Sequence, residues 1–536
     1  MIDKTGWELG ATLARQAKAR GDYPFLQFQD DPAVTYAEVD AIAHRVSRGV
    51  AALGAGLGDR VGVWLPNGLE ILYAWFGVSR AGAVSVFVNT AYKGGFLEHV
   101  LNNAAAKWVI LAAEYLPRLA ESEANLPLLE HAVVVGGIPK DAPKFKRITL
   151  QPWEDLIRHP AVPLHTPVTY RDLCAMMYTS GTTGPSKGVL MPHAHCYLFG
   201  HGELENLALV PEDVYYICMP LFHANALLMQ LYGTLVAGAT AIIVPTFSAS
   251  RWLDDIIKYE VTVTNLLGVM SDFVWRQPPR PQDKQHKLRT IIAVPNPPEI
   301  AAKFPSRFGV TLIEGYGMTE VNICLYFPRN EPTRLGSCGK PYSQFFDVRI
   351  ADPDTDETLP PGQLGEIVVR PKEPYCFMAG YNAMESKTIE AWRNFWFHTG
   401  DAGKMDADGY FYFVDRIKDT IRRRGENISS YEIEVVLNEH PAVAEAAAIA
   451  VKSDIQGGED EVKACLVLKP GQAVTPEALL DFCQTRMPYF AVPRYVEVLP
   501  ELPKTPTSKV QKAKLRQSGL TAATWDREAH GYKVRR

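Results

Sequence analysis

The chain has 536 residues, 47% of them apolar and 21% charged, a balance that excludes a disordered, coiled-coil or collagen-like protein. At about 150 residues per domain it holds about three to four domain-sized units. Its 55 Lys and Arg against 60 Asp and Glu leave a net charge of −5 with no long run of one sign, so no nucleic acid partner is expected. The cysteines are scattered singly, and only Cys196 has close histidines, His193 and His195, so neither a zinc site nor a disulfide framework is expected. The amino terminus lacks the basic start and apolar core of a signal peptide. No window reaches the ~18 uncharged apolar residues of a spanning helix. No integral membrane segment is therefore expected, and a reducing cytoplasmic location is.

In chain order, Val39, Ile42, Ala43, Val46, Val50 and Leu53 fall on one helical face that ends at Gly54. Short apolar runs follow at 61–65, 84–88 and 108–111 and read as strands. The same alternation returns at 241–244, 261–263, 290–292 and 310–313. This βα grammar favours mostly parallel sheets covered by helices. After Gly362 the pattern turns strand-rich, with strands expected at 365–369 and 409–414. The charged stretch 415–419 then precedes a small α+β unit with helices at 430–439 and 476–487 and strands at 446–451 and 464–468. The residues from about Leu520 read as a tail.

Three segments carry candidate chemistry. Tyr178-Thr179-Ser180-Gly181-Thr182-Thr183-Gly184-Pro185-Ser186-Lys187-Gly188 follows the apolar run 175–177. Small residues let backbone N–H groups approach anionic oxygens, hydroxyls add hydrogen bonds, and Lys187 supplies compensating charge, so a phosphate chain fits. It is not a Walker A loop, and by composition alone a flexible polar linker is the alternative. Glu314-Gly315-Tyr316-Gly317-Met318-Thr319-Glu320 lies just after a strand, where parallel sheets bind ligands. There Glu320 could hold Mg²⁺ and Thr319 could donate to a phosphate; a turn with a solvated acid is the alternative. His398-Thr399-Gly400-Asp401 precedes Arg416 and suits ribose hydroxyls, although an Asp after Gly is also an ordinary turn residue.

Together with GENIS at 425–429 and PTSKVQK at 506–512, these motifs resemble the adenylate-forming superfamily of acyl- and aryl-CoA synthetases, luciferases and peptide-synthetase adenylation domains. The resemblance runs over about residues 10–518. Within it the chain is most similar to bacterial carnitine-, crotonobetaine- and medium-chain acyl-CoA ligases. It implies an AMP-binding amino-terminal domain over 1–416 with a strand-rich subdomain, a hinge at 417–419, a small mobile catalytic lobe over 420–519 and a tail over 520–536.

By the resemblance, Thr179, Ser180, Gly181, Thr182, Thr183, Gly184 and Lys187 are the phosphate loop, with Pro185 and Ser186 in the reverse of the commonest order. Gly315, Tyr316, Gly317 and Met318 form the turn facing adenine and acyl group, Thr319 contacts the α-phosphate and Glu320 is the magnesium ligand. Asp401 and Arg416 take the ribose, and Phe413 packs near the nucleoside. His223, in Pro220-Leu221-Phe222-His223, borders the acyl pocket and thiol entrance; a satisfied helix-start histidine is the alternative. Lys418 is the hinge, Gly425 lines the pantetheine tunnel, and Lys509 reaches the reacting carboxylate and α-phosphate. The departures are Ala293–Pro298 at the adenine side, Arg424 before Gly425, and Ser508 before Lys509.

The implied activity is an ATP-dependent carboxylic acid:CoA ligase that releases AMP and pyrophosphate and uses ATP, Mg²⁺ and coenzyme A, with a homodimer left open. Pocket candidates are Asn225, Ala226, Met229, Leu267, Gly268, Val269, Met270 and Cys324, with no Arg or Lys for a second carboxylate. A short- or medium-chain apolar or zwitterionic monocarboxylic acid is expected. An aryl acid, a carrier-protein-loading enzyme and a non-catalytic nucleotide-binding protein are the alternatives. The spacing Ser429 to Glu432 predicts a capping box on the helix that follows.

Overall fold

A computed structural model describes the chain except residues 1, 180–185, 295–297, 333, 417–420, 424, 425, 429, 453–459, 488, 490, 506–508, 535 and 536. At 269, 298, 299, 416, 422, 423, 426–428 and 432 it describes the backbone alone. The calls on Ser180 to Gly184, Lys418, Gly425 and the capping residue Ser429 therefore lie outside the described residues. The chain divides into two compact units. The first is Met1–Gly181, Pro185–Val348 and Val369–Phe397; the second is Thr182–Gly184, Arg349–Val368 and His398–Arg536.

The first unit carries the expected α/β body. One eight-stranded sheet runs in the order Gly380–Tyr381, Lys187–Pro192, Leu173–Thr179, Val84–Phe87, Arg60–Trp64, Trp108–Ala112, His131–Val135 and Thr149–Pro152. Its strands are parallel from Leu173–Thr179 onward. The other two join it antiparallel. A seven-stranded sheet holds Thr311–Ile313, Thr290–Val294, Val263–Leu267, Val214–Ile217, Thr240–Ile243 and Pro24–Phe28, all parallel, and the short antiparallel Val34–Thr35. The strand expected at 261–263 starts at Val263 instead. Thr262 lies just before it, its N–H donating to the Val214 carbonyl at 3.0 Å and its hydroxyl to Asp213 Oδ1 at 2.6 Å.

Helix Tyr36–Ala52 shows why the periodic face is buried. Thr35 caps it, accepting from Glu38 N at 3.3 Å while Glu38 Oε2 accepts from Thr35 N at 2.8 Å, a capping box that satisfies two otherwise orphaned N–H groups. Val39, Ala43, Val46 and Val50 are buried, whereas Ile42 is half-buried at the edge of the face and Leu53 is half-buried just past the helix's end at Ala52. The helix meets Leu69–Arg80 so closely that a Cβ on Gly77 would lie 2.3 Å from Val46 Cγ1. Any side chain at Gly77 would wedge the two helices apart.

In the second unit, Phe411–Arg416 pairs antiparallel with Trp396–Met405. The strand expected at 409–414 runs instead from Phe411 to Arg416, with Gly409 (φ 83°) in the preceding bend. Val443–Lys452, Asp460–Leu468, Tyr495–Val498 and Trp525–Asp526 form a four-stranded sheet. Its period-two alternation is visible in the packing. Ala446, Ala448, Ala464 and Leu466 face Leu437, Leu479 and Leu480, whereas Ala447, Ile449 and Cys465 face Leu502 and Leu515. Trp525–Asp526 pairs with Tyr495–Val498, and Arg527 is buried against the carbonyls of Val492 and Pro493. Among the described residues no helix is long and apolar enough to cross a membrane.

Candidate active site

In the first unit the phosphate-loop candidates flank a hairpin. Thr179 ends one strand, Lys187 opens the next, and the two stand opposite each other in the ladder. The loop between them therefore starts and finishes at the carboxyl end of the parallel strand Leu173–Thr179. Lys187 Nζ lies 4.0 Å from the centre of the Tyr381 ring, a cation–π contact that steadies the ammonium without neutralising it.

Gly315–Met318 and Asn322–Tyr326 form a second hairpin whose tip carries Thr319 and Glu320. It begins immediately beyond strand Thr311–Ile313. Packing requires glycine at 317 and leaves little room at 315. A Cβ on Gly317 would sit 2.2 Å from the Asn322 carbonyl oxygen, and one on Gly315 would sit 3.0 Å from that of Leu325. Tyr316 is buried, and Met318 and Thr319 are half-buried. Asn322 adopts φ 75°, the left-handed conformation that turns the chain back.

Glu320 is only 3% exposed. Its Oε1 accepts from Thr179 Oγ1 at 3.2 Å and from the Tyr381 hydroxyl at 3.0 Å, and its backbone carbonyl accepts from Met378 N at 3.1 Å. No hydrogen bond from a described residue reaches Oε2. One carboxylate oxygen is thus fixed and the other left open, the donor set expected of a cation that takes one protein carboxylate and completes its shell with phosphate and water. No group of three His, Cys, Asp or Glu that could hold a metal occurs among the described residues.

His195 fixes the same turn from behind. Its Nε2 lies 2.9 Å from the Thr319 carbonyl oxygen, and Asn322 Nδ2 donates to the His195 carbonyl at 2.9 Å and approaches Nδ1 at 3.3 Å. A proton on Nε2 satisfies the Thr319 carbonyl, and the Asn322 amide at Nδ1 suits a neutral ring. Burial drives the same way, pulling the His195 pKa down to about 4. His223 is half-buried with its ring 4.5 Å from that of Phe222, and its carbonyl accepts from Leu227 N at 3.1 Å, as at the start of a helical turn.

In the second unit Asp401 and Arg416 face each other across the antiparallel pair. Phe413 stands on the same strand as Arg416, opposite Gly403. The strand residues before Asp401 are braced by Glu366, whose Oε2 lies 2.7 Å from His398 Nδ1 and whose Oε1 accepts from Gly400 N at 2.9 Å. Thr399 donates to the Ile367 carbonyl at 2.6 Å and accepts from Asp401 N at 3.1 Å. Lys509 is exposed; its carbonyl accepts from Thr505 N at 2.8 Å and its N–H donates to Thr505 Oγ1 at 3.1 Å.

Tyr381, His195, Asn322 and Glu366 support these residues and were not singled out by the sequence reading. No local spacing ties them to their partners. The only pointer was the His193/His195 pair, which had been weighed solely as a possible metal motif.

Residues 13–382 match the family model described as AMP-binding enzyme, and residues 432–509 match that of the AMP-binding enzyme C-terminal domain. The chain is 31% identical over 488 residues to a crotonobetaine/carnitine–CoA ligase of Salmonella heidelberg (strain SL476), covering 90% of this chain and 93% of the relative. It superposes with a TM-score of 0.84 on an anthranilate CoA ligase, AuaEII, in complex with anthranoyl-AMP, at 28% identity over 95% of this chain and 96% of that one. ATP-bound MatB from Rhodopseudomonas palustris gives a TM-score of 0.82 at 25% identity, covering 95% and 98%. Fold and site together define an AMP-forming acid–thiol ligase, an enzyme that adenylates a carboxylic acid on the way to a CoA thioester. The chain belongs to the AMP-binding enzyme family.

Proposed function

We propose that this ligase activates a short- or medium-chain monocarboxylic acid with ATP and passes the acyl group to coenzyme A. The observation that carries the reading is the buried Glu320 carboxylate, held by Thr179 and Tyr381 on one oxygen and open on the other, beside Lys187.

The chemical problem is that a carboxylate attacking ATP brings two anions together. In the first step the carboxylate oxygen bonds to the α-phosphorus and the bond to pyrophosphate breaks. Thr179, Lys187 and the loop between them hold the departing phosphates, and Thr319 donates to the α-phosphate. Glu320 and phosphate oxygens would hold Mg²⁺, which supplies positive charge against the developing phosphate oxyanions. Lys509 offsets the remaining repulsion in this step, Asp401 and Arg416 take the ribose hydroxyls, and Phe413 borders the nucleoside. In the second step the CoA sulfur bonds to the acyl carbon, the thiol proton is lost, and the bond to AMP breaks. His223 borders the thiol entrance, Gly425 keeps the tunnel clear, and Lys418 is the hinge between 1–416 and 420–519.

The pocket segments 223–230, 266–271 and 321–325 contain no Arg or Lys, which favours a monocarboxylic, mainly apolar or zwitterionic acyl group over a dicarboxylate. The test is pyrophosphate release with ATP, Mg²⁺, CoA and a panel of mono-, di- and aryl carboxylic acids. Short to medium monocarboxylic acids should be used best, and the product should be the CoA thioester. Preference for dicarboxylates would overturn the substrate class, and a requirement for a carrier protein would overturn the acceptor.

A further inference from the structure

A chain of buried hydrogen bonds inside the first unit takes no part in the reaction as derived. Glu203 Oε2, on helix His193–Leu207, lies 2.9 Å from the Tyr215 hydroxyl, which also lies 2.6 Å from Asn265 Oδ1. Asn265 Nδ2 donates to Asn225 Oδ1 at 3.1 Å, and Gln230 Nε2 donates to the same oxygen at 2.9 Å. Glu203, Tyr215, Gln230 and Asn265 are at most 1% exposed, whereas Asn225 is half-buried.

Counting protons gives this chain a direction. Tyr215 has one hydroxyl hydrogen and two oxygen neighbours. The shorter contact, to Asn265 Oδ1, takes it. The Glu203 contact is then a hydrogen bond only if the carboxyl group carries its own proton and donates to the Tyr215 oxygen. Burial favours that state, because Glu203 Oε1 is buried with no partner, and a bare buried carboxylate is costly. The Glu203 carboxyl accordingly has its pKa pushed up to about 8 by burial. Donation therefore runs from Glu203 through Tyr215 and Asn265 to Asn225 Oδ1, where Gln230 supplies the second donor. With both lone pairs of that oxygen engaged, the Asn225 amide is locked with its NH₂ facing the other way. Among the described residues none accepts from Asn225 Nδ2.

Asn225 itself lies near the edge at which parallel sheets bind ligands. Strands Val214–Ile217, Val263–Leu267 and Thr311–Ile313 belong to one parallel sheet, so their carboxyl ends share an edge. That edge carries the chain leading to Asn225, the start of Gly268–Trp275, and the Gly315–Glu320 hairpin. Asn225 also opens a π-helix, Asn225–Leu231, a wide winding that concentrates at functional sites.

We infer that Asn225 is a specificity-determining residue whose amide N–H groups receive an acceptor oxygen on the acyl chain, with Glu203 and Tyr215 as positioning residues that hold it in that sense. The substrate class is a mainly apolar monocarboxylic acid bearing a hydroxyl, ether or carbonyl oxygen. A cationic tail is disfavoured, because two N–H dipoles would point their positive ends at it. The inference rests on the acid:CoA ligase reading and narrows its substrate.

The test compares kcat/KM for acids of equal length that are unsubstituted, oxygen-bearing or trimethylammonium-bearing, in the wild type and in Asn225→Ala, Tyr215→Phe and Glu203→Gln. The wild type should prefer an oxygen-bearing acid by about 10-fold or more, and Asn225→Ala should bring that ratio close to one. Tyr215→Phe removes the donor and should lower the ratio mainly through KM for the oxygen-bearing acid, with KM for ATP unmoved. Glu203→Gln still donates to Tyr215 through its amide and should keep the ratio. A wild type that uses unsubstituted or trimethylammonium-bearing acids as well as any oxygen-bearing one would overturn the inference alone. So would equal losses on all acids in Asn225→Ala. Absence of acid-dependent pyrophosphate release across the whole panel would instead overturn the ligase reading and this inference with it.

Discussion

The Tyr381 hydroxyl donates to Glu320 Oε1 at 3.0 Å while the ring of the same Tyr381 lies 4.0 Å from Lys187 Nζ. One side chain thus orients both the acid and the base of the proposed phosphate site. Tyr381 reaches this place from the strand Gly380–Tyr381, which pairs with Lys187–Pro192.

Replacing Tyr381 by Phe keeps the ring under Lys187 and removes the hydrogen bond to Glu320. A hydrogen bond to a charged group is worth about 1.5–3 kcal/mol, so acid-dependent pyrophosphate release should fall about 10- to 100-fold, with a raised Mg²⁺ requirement. Steady-state rates against Mg²⁺ concentration check this. Unchanged rates and Mg²⁺ dependence would mean that the hydroxyl does not orient the carboxylate.

His195 predicts a pH dependence of stability. Burial lowers its pKa from 6.5 to about 4, so as pH falls the unfolded chain takes up the proton before the folded one does. The contribution of His195 is whole above about pH 6.5 and is lost as pH falls towards 4. Its full size is about 3 kcal/mol. Denaturant unfolding of the wild type and His195→Gln between pH 7.5 and 4.5 should show a shallower loss for the variant across that window. Parallel profiles would remove His195 from the account.

Lys509→Ala should slow adenylation about 10²- to 10³-fold, as loss of a preorganised charge does, and leave the reaction of presynthesised acyl adenylate with CoA nearly untouched. Single-turnover rates measured separately for the two half-reactions decide the matter. Comparable losses in both, or in neither, would make Lys509 an ordinary exposed lysine.

Lys418→Pro fixes φ near roughly −65° and removes an N–H, which should trap one arrangement of the hinge. Thioester formation should then suffer more than adenylation. Equal loss of both half-reactions, measured the same way, would mean that Lys418 serves folding or nucleotide binding instead.

Much of this protein was legible from local pattern. The helical period that placed Val39, Ala43, Val46 and Val50 on one face is the face buried in Tyr36–Ala52, and the βα alternation gave the parallel sheets, because burial of one face repeats every 3.6 or two residues along the chain itself. The proposed phosphate and turn motifs were readable for the same reason, being short runs whose residue types are set by the backbone approach they permit.

Partner choice was not readable. Thr179 and Tyr381 meet Glu320 across 141 and 61 residues, Glu366 braces His398 across 32, and Glu203, on a helix, finds Tyr215 and Asn265 on two strands. Even the end of the chain, which by composition reads as a tail, supplies the strand Trp525–Asp526. A periodic pattern specifies which side of an element is buried. Which distant side chain fills the space against it, and which way a buried amide must then turn, follows only when sheet order and packing bring the two together.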